Sequence, residues 1–529
     1  MNDNNENFAA AVALDTVAAL AEARVENAPA GTLTITGISL DSNAVEAGSV
    51  FAALPGTRVH GATYAAGSKA AAVLTDEPGW EILSAAGETR PVLVVDDVRA
   101  VLGPVSSEIY GNPSEKLTVI GVTGTSGKTT TTYMLEAGLT AAGSAVGLIG
   151  TTGTRIMGED VPTSLTTPEA PKLQELFALM VRRGVTHVVM EVSSHALVLG
   201  RVTGTRFAVA GFTNLSQDHL DFHPTMEEYF DAKAMLFDAA SPVAAGTSVI
   251  CVDDEWGRQM ARRAATGGEG RRVVTVGTRG QADVDCAAEL NSTTDSGAQD
   301  ITVRLGGSAI SARLPLPGAF NVANAALATA IADAAGIDAE TFLQGLSGAA
   351  VPGRMERIDA GQEFVAVVDY AHKPAAIAAA LESLREQVDG RVGIVVGAGG
   401  DRDQSKRSIM GAESARRADL VIVTDDNPRT EDPAAIRAAV RSGAEDAAAE
   451  RGNVEIRESD SRADAIKQLV AWAEPGDAVI VVGKGHEVGQ IIGETTFHFD
   501  DREEVREALA EAGFGTARGT QGTAKEDQA

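Results

Sequence analysis

The sequence LTVIGVTGTSGKTTTTYM, residues 117–134, predicts a buried strand, a glycine-rich turn and a helix in direct succession. The apolar run 117–122 is typical of a buried strand, and Tyr133 and Met134 begin a helical pattern. Such a turn leaves backbone N–H groups available to an anion, and the helix N-terminus adds positive potential. The order therefore predicts a phosphate-binding loop, formed by Gly124, Thr125, Ser126, Gly127, Lys128, Thr129 and Thr130.

Within this loop, Lys128 is placed to reach terminal phosphates, and the Thr129 hydroxyl is placed to bind Mg²⁺. The spelling departs from the standard phosphate-loop pattern, because Gly127 lies six positions after Gly121 rather than five. The alternative is a glycine-rich turn before an ordinary helix. The strand-turn-helix context favours the phosphate site.

Composition limits the classes of protein that this chain represents. Its 529 residues are too many for one core and favour about three domains. Hydrophobic residues make up 44% and charged residues 22%, which is typical of a soluble globular protein. The net charge is -29 and no basic stripe is present, so we expect no nucleic-acid partner.

Cysteine usage and the N-terminus predict a cytoplasmic protein. Only Cys251 and Cys286 occur, without a CxxC pair, which excludes a disulfide scaffold and a structural zinc site. The first seven residues are polar and acidic and lack the basic region of a signal peptide. No apolar run has the length of a membrane span, so we expect no membrane insertion.

Strand-like and helix-like runs alternate along the chain and predict an α/β protein. Turn clusters at 111–114 and 352–356 mark two boundaries. We predict an N-terminal domain (1–112), a central domain (113–351), a C-terminal domain (352–514) and a disordered polar tail (515–529). Central strand candidates at 117–122, 145–149, 187–190, 209–213 and 248–252 predict a largely parallel sheet. The segment 282–316 predicts antiparallel strands.

Polar residues follow two of these predicted central strands. Glu191 and Ser193 follow one strand, and Asn214, Asp218 and His219 follow the next. In open parallel sheets ligands bind beyond the carboxyl ends of the strands, so Glu191 and His219 are candidate metal ligands and Ser193 a candidate ligand contact. The alternative for the first group, an ordinary turn with capping serines, is equally compatible with that segment.

Four further polar or glycine-rich segments follow strand candidates of the last third: 368–374, 397–403, 425–429 and 483–487. One or two such segments are expected of chance loops, whereas four at one sheet edge favour a second binding surface. A phosphate-activating domain followed by a site rich in Arg, Asp, Glu and Lys predicts ATP-driven joining of two polar substrates between domains.

Several ordered motifs resemble those of the Mur ligases. They are Gly124–Thr130, Glu191–His195, Asn214–Asp221, Gly318–Asn324, Gly353–Glu356, Asp369–His372, Asp426–Arg429 and Gly483–Glu487. The resemblance covers about residues 30–512 and is nearest to the members that add the third residue of the peptidoglycan stem peptide. It implies a uridine-binding N-terminal α/β domain, a central ATPase-like parallel sheet with a small antiparallel sheet, and a Rossmann-like C-terminal domain.

The resemblance also implies residue roles. Lys128, His219 and Lys233 would be catalytic, with Lys233 carbamylated, although nothing in the local pattern singles out that lysine. The two Mg²⁺ ions would be held by Thr129, Glu191, His219 and the Lys233 carbamate. ATP contacts beyond the loop would be Asn321, Arg354 and Asp369. The muramoyl-dipeptide nucleotide would contact Leu40, Ser42, Thr166, Thr167, Ser193 and Arg201, and the amino acid Arg402, Asp426, Asn427, Arg429, Gly483 and Glu487. Asn43 and Leu199 depart from residues that are frequent in the family.

The implied reaction is the ATP-dependent addition of a diamino acid to UDP-MurNAc-L-Ala-D-Glu through an acyl phosphate, carried out by a monomer. Arg429 favours meso-2,6-diaminopimelate, because a guanidinium pairs with the distal carboxylate that L-lysine lacks. Alternatives are the same ligase using L-lysine, a folylpolyglutamate synthetase-like ligase, a phosphotransferase or GTPase, and a non-enzymatic nucleotide-binding scaffold. The chain has no Asn-Lys-x-Asp guanine signature, and the extra N-terminal domain argues against the folylpolyglutamate type.

Overall fold

The computed structural model describes residues 11–220, 222–266, 271–281, 283–294 and 297–515. The polar start of the chain, Asp221, Ala282 and the predicted tail after Gly515 lie outside the described residues.

The first region is a small parallel sheet with one antiparallel edge. Its elements are β1 (Val12–Ala13), α1 (Leu14–Leu20), β2 (Arg24–Glu26), β3 (Thr34–Ile35), β4 (Ile38–Ser39), β5 (Val50–Ala52), β6 (Ala72–Thr75), α2 (Glu77–Ala85), β7 (Val92–Val94) and α3 (Val98–Ile109). The main sheet has the order β2-β7-β6-β5-β4, and only β2 is antiparallel to its neighbour. The three inner strands are buried along their whole lengths, as expected for strands covered on both faces.

The second region is an eleven-stranded sheet with its helices. Its strands are β8 (Thr118–Thr123), β9 (Val146–Gly150), β10 (Gly153–Ile156), β11 (Glu159–Val161), β12 (His187–Glu191), β13 (Val209–Phe212), β14 (Thr247–Cys251), β15 (Arg272–Gly277), β16 (Cys286–Thr293), β17 (Gln299–Leu305) and β18 (Ser308–Leu314). Its helices are α4 (Lys128–Ala141), α5 (Ala170–Arg182), α6 (Ser194–Val198), α7 (Met226–Ala234), α8 (Glu255–Ala265), α9 (Ala319–Ala334) and α10 (Ala339–Gly345).

The strand order β11-β10-β9-β12-β8-β13-β14-β15-β16-β17-β18 places the loop-bearing strand β8 in the middle of the sheet. Strands β9 to β16 in this order pair in parallel, so the predicted parallel sheet is confirmed. The antiparallel prediction for 282–316 is confirmed for β17 and β18. Strand β16, which lies between β15 and β17, pairs in parallel with β15. Strand β15 was not predicted from the sequence, because polar and apolar residues are mixed along it. This strand extends the parallel sheet.

The third region is a six-stranded sheet. Its strands are β19 (Glu356–Arg357), β20 (Val365–Asp369), β21 (Val392–Val396), β22 (Leu420–Val423), β23 (Glu455–Glu458) and β24 (Ala478–Val482), followed by the hairpin β25 (Gln490–Ile492) and β26 (Thr495–Phe497). Its helices are α11 (Pro374–Arg385), α12 (Lys406–Arg417), α13 (Pro433–Arg451), α14 (Arg462–Trp472) and α15 (Asp501–Glu511). The order β19-β20-β24-β21-β22-β23 brings the four predicted strands together in parallel.

The chain forms two compact units. The first contains the first two sheets, and the second is built mostly from residues after Ala349. The three-domain division at 112 and 351 stays a prediction. Among the described residues, no helix combines the length and apolar character needed to cross a membrane.

Candidate functional site

The loop between β8 and α4 has the predicted strand-turn-helix form. Gly124 and Gly127 adopt positive φ values of +146° and +89°, which other residues rarely adopt. A Cβ atom at Gly127 would lie 2.5 Å from Asn324 Oδ1, and one at Gly124 would lie 1.9 Å from Thr213 Oγ1. Both glycines are therefore required by backbone conformation and by close packing.

Residues that follow β13 hold this loop in place. Asn214 accepts a hydrogen bond from the Ser126 N–H (3.0 Å) and donates one to the Ser126 carbonyl (3.1 Å). The Asn214 carbonyl accepts a further bond from the Thr125 N–H (2.9 Å), and the hydroxyls of Thr125 and Tyr229 lie 3.2 Å apart. Sequence reasoning grouped Asn214 with the polar cluster, but it missed Tyr229 because an aromatic residue in a helix is typical of a core.

Two lysine side chains meet at one carbonyl oxygen of the loop. Lys128 Nζ donates to the carbonyls of Gly124 (2.9 Å) and Thr125 (3.1 Å), and Lys233 Nζ donates to Gly124 at 3.0 Å. Lys128 is half-buried, whereas Lys233 is 1% exposed and lies 4.4 Å from the centre of the Tyr229 ring. Two ammonium groups on one acceptor repel each other, and the repulsion is strongest where water is excluded.

The predicted metal ligands are Glu191, the last residue of β12, and His219, in the segment after β13. These two strands lie on either side of β8. Glu191 is 1% exposed, and its carboxylate accepts from the N–H (2.9 Å) and the hydroxyl (3.1 Å) of Thr151. His219 has φ +53°, and its Nε2 lies 3.0 Å from Asp218 Oδ2. In the part of the chain that the structure describes, no group of three or more His, Cys, Asp or Glu residues is arranged to hold a metal ion.

The predicted muramoyl-dipeptide contacts near β12 lie together: Thr166, Thr167, Ser193 and Arg201. The Thr167 hydroxyl donates to the Glu191 carbonyl (2.9 Å) and accepts from the Ser193 N–H (3.2 Å). Arg201 donates to the Thr167 carbonyl at 3.4 Å. Thr166 approaches the Thr151 hydroxyl at 3.2 Å, so all four border the carboxyl end of β12.

Glu169 joins this group and was missed from the sequence. It is the N-cap residue of α5, but its side chain does not cap the helix. Its carboxylate instead lies 2.9 Å from Arg201 Nε and 3.3 Å from Arg99 Nη1, and Arg99 also donates to the Leu199 carbonyl at 3.1 Å. One carboxylate thus connects α3 of the first sheet with a predicted substrate contact.

The predicted uridine contacts, Leu40 and Ser42, directly follow β4. Leu40 packs against the core of the first sheet, and Ser42 is half-buried in the turn after it. Both lie beyond the carboxyl end of a parallel strand, which is where ligands bind in such sheets.

Asn321 lies on the first turn of α9 and is 2% exposed. Its Oδ1 accepts a hydrogen bond from Asn324 Nδ2 at 3.1 Å. The other side of the Asn324 amide faces the phosphate loop at Gly127. The predicted adenine contact is therefore connected to the loop through one side chain.

Asp369 and Arg354, the other predicted nucleotide contacts, lie at the start of the third sheet. Asp369 is 9% exposed and accepts from the N–H groups of Met355 (2.6 Å) and Ala371 (2.8 Å). Burial raises the pKa of the Asp369 carboxyl, although the Arg354 guanidinium opposes that shift. The Arg354 guanidinium lies 4.2 Å from the centre of the Tyr370 ring. Asp369 thus fixes the turn that carries Arg354.

The strand ends of the third sheet form the candidate amino-acid pocket. Gly483 has φ +121°, and a Cβ atom there would lie 2.6 Å from Asp426 Oδ2. Arg429, with φ +51°, donates to the Gly400 carbonyl at 2.7 Å, whereas Arg402 is exposed.

A partly buried ion pair connects the two loops that carry these arginines. Arg407, buried on α12, binds both carboxylate oxygens of Glu431 at 2.9 and 2.8 Å. Glu431 also accepts from the Asp401 N–H, and these bonds lower the pKa of its carboxyl to about 2. Both residues were missed, because charged side chains on a helix and in a loop resemble solvated ones.

Asn427 and Glu487 interact across the same pocket. Asn427 Nδ2 donates to Glu487 Oε2 at 3.3 Å, and the Tyr370 hydroxyl donates to Oε1 at 3.1 Å. Burial raises the pKa of the Glu487 carboxyl, and Asp426 adds to that shift. Sequence reasoning selected Glu487 but missed Tyr370 and Lys484, which lies between Gly483 and Gly485 and is fully buried.

Family models match three parts of the chain. The Mur ligase family catalytic domain matches residues 34–110, the Mur ligase middle domain 122–332, and the Mur ligase glutamate ligase domain 353–485.

Individual proteins are similar to this chain over most of its length. A UDP-N-acetylmuramoyl-L-alanyl-D-glutamate--2,6-diaminopimelate ligase of Corynebacterium glutamicum is 62% identical over 487 residues, 91% of this chain and 93% of that protein. A solved structure of a ligase of the same description is 31% identical, has a TM-score of 0.64, and covers 91% of this chain and 96% of its own. A folylpolyglutamate synthase structure from Mycobacterium tuberculosis, with ADP and AMPPCP, covers 72% of this chain and 91% of its own at a TM-score of 0.57 and 21% identity, a likeness of fold alone.

Proposed function

The chain belongs to the Mur ligase family, and from this premise we propose that it joins a diamino acid to UDP-MurNAc-L-Ala-D-Glu at the expense of ATP. The observation that carries the proposal is the 62% identity, over 91% of the chain, to a diaminopimelate ligase. The glycine loop at β8 and the polar pocket of the third sheet supply the two kinds of site that such a ligase needs. A cytoplasmic location and a monomeric state stay predictions.

The reaction has two steps, phosphorylation of a carboxylate and then formation of the amide. The free side-chain carboxylate of D-Glu attacks the γ-phosphorus of ATP, the bond to the β-phosphate oxygen breaks, and ADP leaves. An unprotonated amine of the diamino acid then attacks the acyl phosphate carbon. The tetrahedral intermediate expels phosphate, and the former amine loses a proton to leave an amide.

The residues around the loop support the first step. The N–H groups at the start of α4 face outward from the helix end and are proposed to hold phosphate oxygens. Lys128 donates to two carbonyls of its own loop, and a phosphate oxygen is a stronger acceptor for an ammonium group. Arg201, held beside Thr167 and Glu169, is proposed to bind the dipeptide end of the nucleotide substrate.

Magnesium fits this site only in part with the residues as they stand. The Thr129 hydroxyl and the Glu191 carboxylate are oxygen donors of the kind that Mg²⁺ prefers, and His219 lies in the segment that follows β13. Bound Mg²⁺ would neutralise charge on the transferred phosphoryl group. Lys233 would contribute oxygen only as a carbamate.

The environment of Lys233 favours that carbamate. The residue is 1% exposed, and its ammonium shares the Gly124 carbonyl with Lys128. Carbamylation replaces a buried cation by an anion, so the repulsion between the two side chains becomes attraction. Lys233→Ala should lose ligation, and millimolar short carboxylic acids should restore part of it. A variant that no carboxylic acid or excess bicarbonate rescues would count against the carbamate.

The third-sheet pocket favours meso-diaminopimelate over L-lysine. Arg429, at the wall of the pocket, offers a guanidinium to the distal carboxylate that only diaminopimelate carries. Glu487, half-buried beside Asn427, offers a carboxylate to the distal ammonium. The discrimination therefore depends mainly on the arginine.

Purified protein with ATP, Mg²⁺ and UDP-MurNAc-L-Ala-D-Glu tests the proposal when meso-diaminopimelate or L-lysine is added. We expect tripeptide product and phosphate release with diaminopimelate, and release only when both co-substrates are present. Faster turnover with L-lysine would correct the amino acid. Phosphate release from ATP alone, without product, would overturn the ligase.

A further inference from the structure

The floor of the candidate amino-acid pocket contains a lysine that no solvent reaches. The Lys484 side chain is 0% exposed. Its Nζ donates to Asn427 Oδ1 and to the Gly489 carbonyl, both at 2.8 Å, and lies 3.5 Å from Asp426 Oδ1. Burying an ammonium group is costly unless it is paired, and these three oxygens provide the pairing.

Lys484, together with the Ile491 N–H, determines which way the Asn427 amide points. Asn427 Oδ1 accepts from Lys484 and also from the Ile491 N–H at 2.9 Å. Both partners are donors without acceptor capacity, so only the oxygen of the amide can face them. The amide nitrogen is then directed to Glu487 Oε2, at 3.3 Å.

Lys484 also opposes the rise in the pKa of the Glu487 carboxyl. Burial raises the pKa of the Glu487 carboxyl, Asp426 raises it further, and Lys484 lowers it. The Tyr370 hydroxyl and the Asn427 amide face the two carboxylate oxygens. The pocket carboxylate is therefore polarised by one buried cation and two neutral donors.

We infer that Lys484 is a positioning residue for the diamino acid, which orients the Asn427 amide toward Glu487 without touching the substrate itself. The inference rests on the proposed function, because it assumes that Glu487 receives the distal ammonium. A purely stabilising lysine would leave substrate affinity unchanged once the protein is folded. A positioning lysine changes the affinity for one substrate only.

The test is Lys484→Met, which keeps the length and apolar stem but removes the charge and the donors. We expect the KM for meso-diaminopimelate to rise about 10- to 100-fold, the range for a hydrogen bond that involves a charged group. The KM for ATP should stay within about twofold, since ATP is proposed to bind elsewhere. Wild-type product formation is measured first, so that a failed ligase and a failed positioning role are distinguished.

The pH dependence of the KM for diaminopimelate distinguishes a positioning role from a structural one, because a purely structural role of Lys484 would leave it unchanged. Glu487 attracts an ammonium only when it is ionised, so the KM for diaminopimelate should rise as the pH falls through the pKa of Glu487. Without Lys484 that pKa is higher, and the rise should begin at a higher pH. In a Glu487→Gln background, Lys484→Met should leave the pH dependence of the KM for diaminopimelate unchanged. It should change the KM itself by no more than about threefold.

Lys484→Gln, which keeps a donor but no charge, takes the place of the methionine variant if that one does not fold. Folding is checked by circular dichroism and thermal unfolding. Either folded variant with a wild-type KM for diaminopimelate and a wild-type pH profile would overturn the inference. Failure of both variants to fold would assign Lys484 to stability alone and would overturn it as well.

Discussion

Two Gly-Lys pairs, Gly127-Lys128 and Gly483-Lys484, come after buried parallel strands in different units of the chain. Both glycines have positive φ, +89° and +121°. The lysines nevertheless differ. Lys128 is half-buried and donates to carbonyls of its own loop, whereas Lys484 is fully buried among Asn427, Gly489 and Asp426.

The difference comes from the segment that each strand leads into. Lys128 begins a fourteen-residue helix, so we propose that its loop presents N–H groups to phosphate and that its ammonium exchanges carbonyl partners for phosphate oxygens. After β24, the next helix in the described chain begins only at Asp501. The Lys484 segment instead folds back on side chains from the neighbouring loops. We therefore propose that the same dipeptide binds phosphate in one unit and positions a pocket side chain in the other.

The largest expected effect is on Lys128. Lys128→Met should reduce kcat by about 10³-fold, because a cation aimed at the transferred phosphoryl group is lost. The melting temperature should hardly change, since the side chain is only half-buried. Steady-state product formation and thermal unfolding measure both quantities. Exposed Lys172→Met is the matched control, and equal activities of the two variants would contradict the assigned role.

Beneath the second Gly-Lys pair, Gly483-Lys484, the expected effect is on stability. Arg462 and Asp501 form a fully buried two-bond ion pair, and Arg462 also donates to the Val482 carbonyl just before Gly483. Asp501→Asn should lower the free energy of unfolding by about 3–5 kcal/mol, since it leaves a buried guanidinium without its counter-charge. Urea denaturation measures the loss, with exposed Asp446→Asn as control. A change below about 1 kcal/mol would mean that solvent reaches the pair.

Selectivity should depend on the third-sheet pocket. Arg429→Gln should lower kcat/KM for meso-diaminopimelate about 10- to 100-fold through the lost charge-assisted contact, and should change the value for L-lysine much less. Parallel assays with the two amino acids give the ratio. Arg416→Gln, an exposed change on α12, should leave the ratio as it is. An equal loss with both amino acids would place Arg429 outside the distal-carboxylate contact.

The smallest effect is expected at Glu169. Glu169→Gln should raise the KM for the UDP-linked substrate about three- to tenfold, because Arg201 loses its partially exposed counter-charge, and should leave the KM values of ATP and the amino acid unchanged. Glu175→Gln on the same helix is the control. A uniform change in all three KM values would indicate a general structural effect instead.

The phosphate loop was predictable because every residue that forms it lies within one short segment. Glycine spacing, a preceding apolar run and a subsequent helical pattern are all local signals. Ligands bind beyond the carboxyl ends of parallel strands, and this rule also predicted where functional side chains lie. The structure has Glu191, Asp426, Arg429 and Glu487 at or just after such strand ends. The role of Lys233 came only from the family resemblance, and its contact with Gly124 joins residues 109 positions apart.

The sequence alone determined the α/β class, the parallel core strands, the loop and the strand-end motifs, since each depends on local pattern and on glycine's conformational freedom. Only the tertiary structure decided which polar residues share a site. The Lys484–Asn427 bond joins residues 57 positions apart, and the Arg462–Asp501 pair joins residues 39 apart. Burial turns these ordinary surface residue types into paired polar and charged groups, and burial depends on how distant strands and helices pack rather than on any one segment.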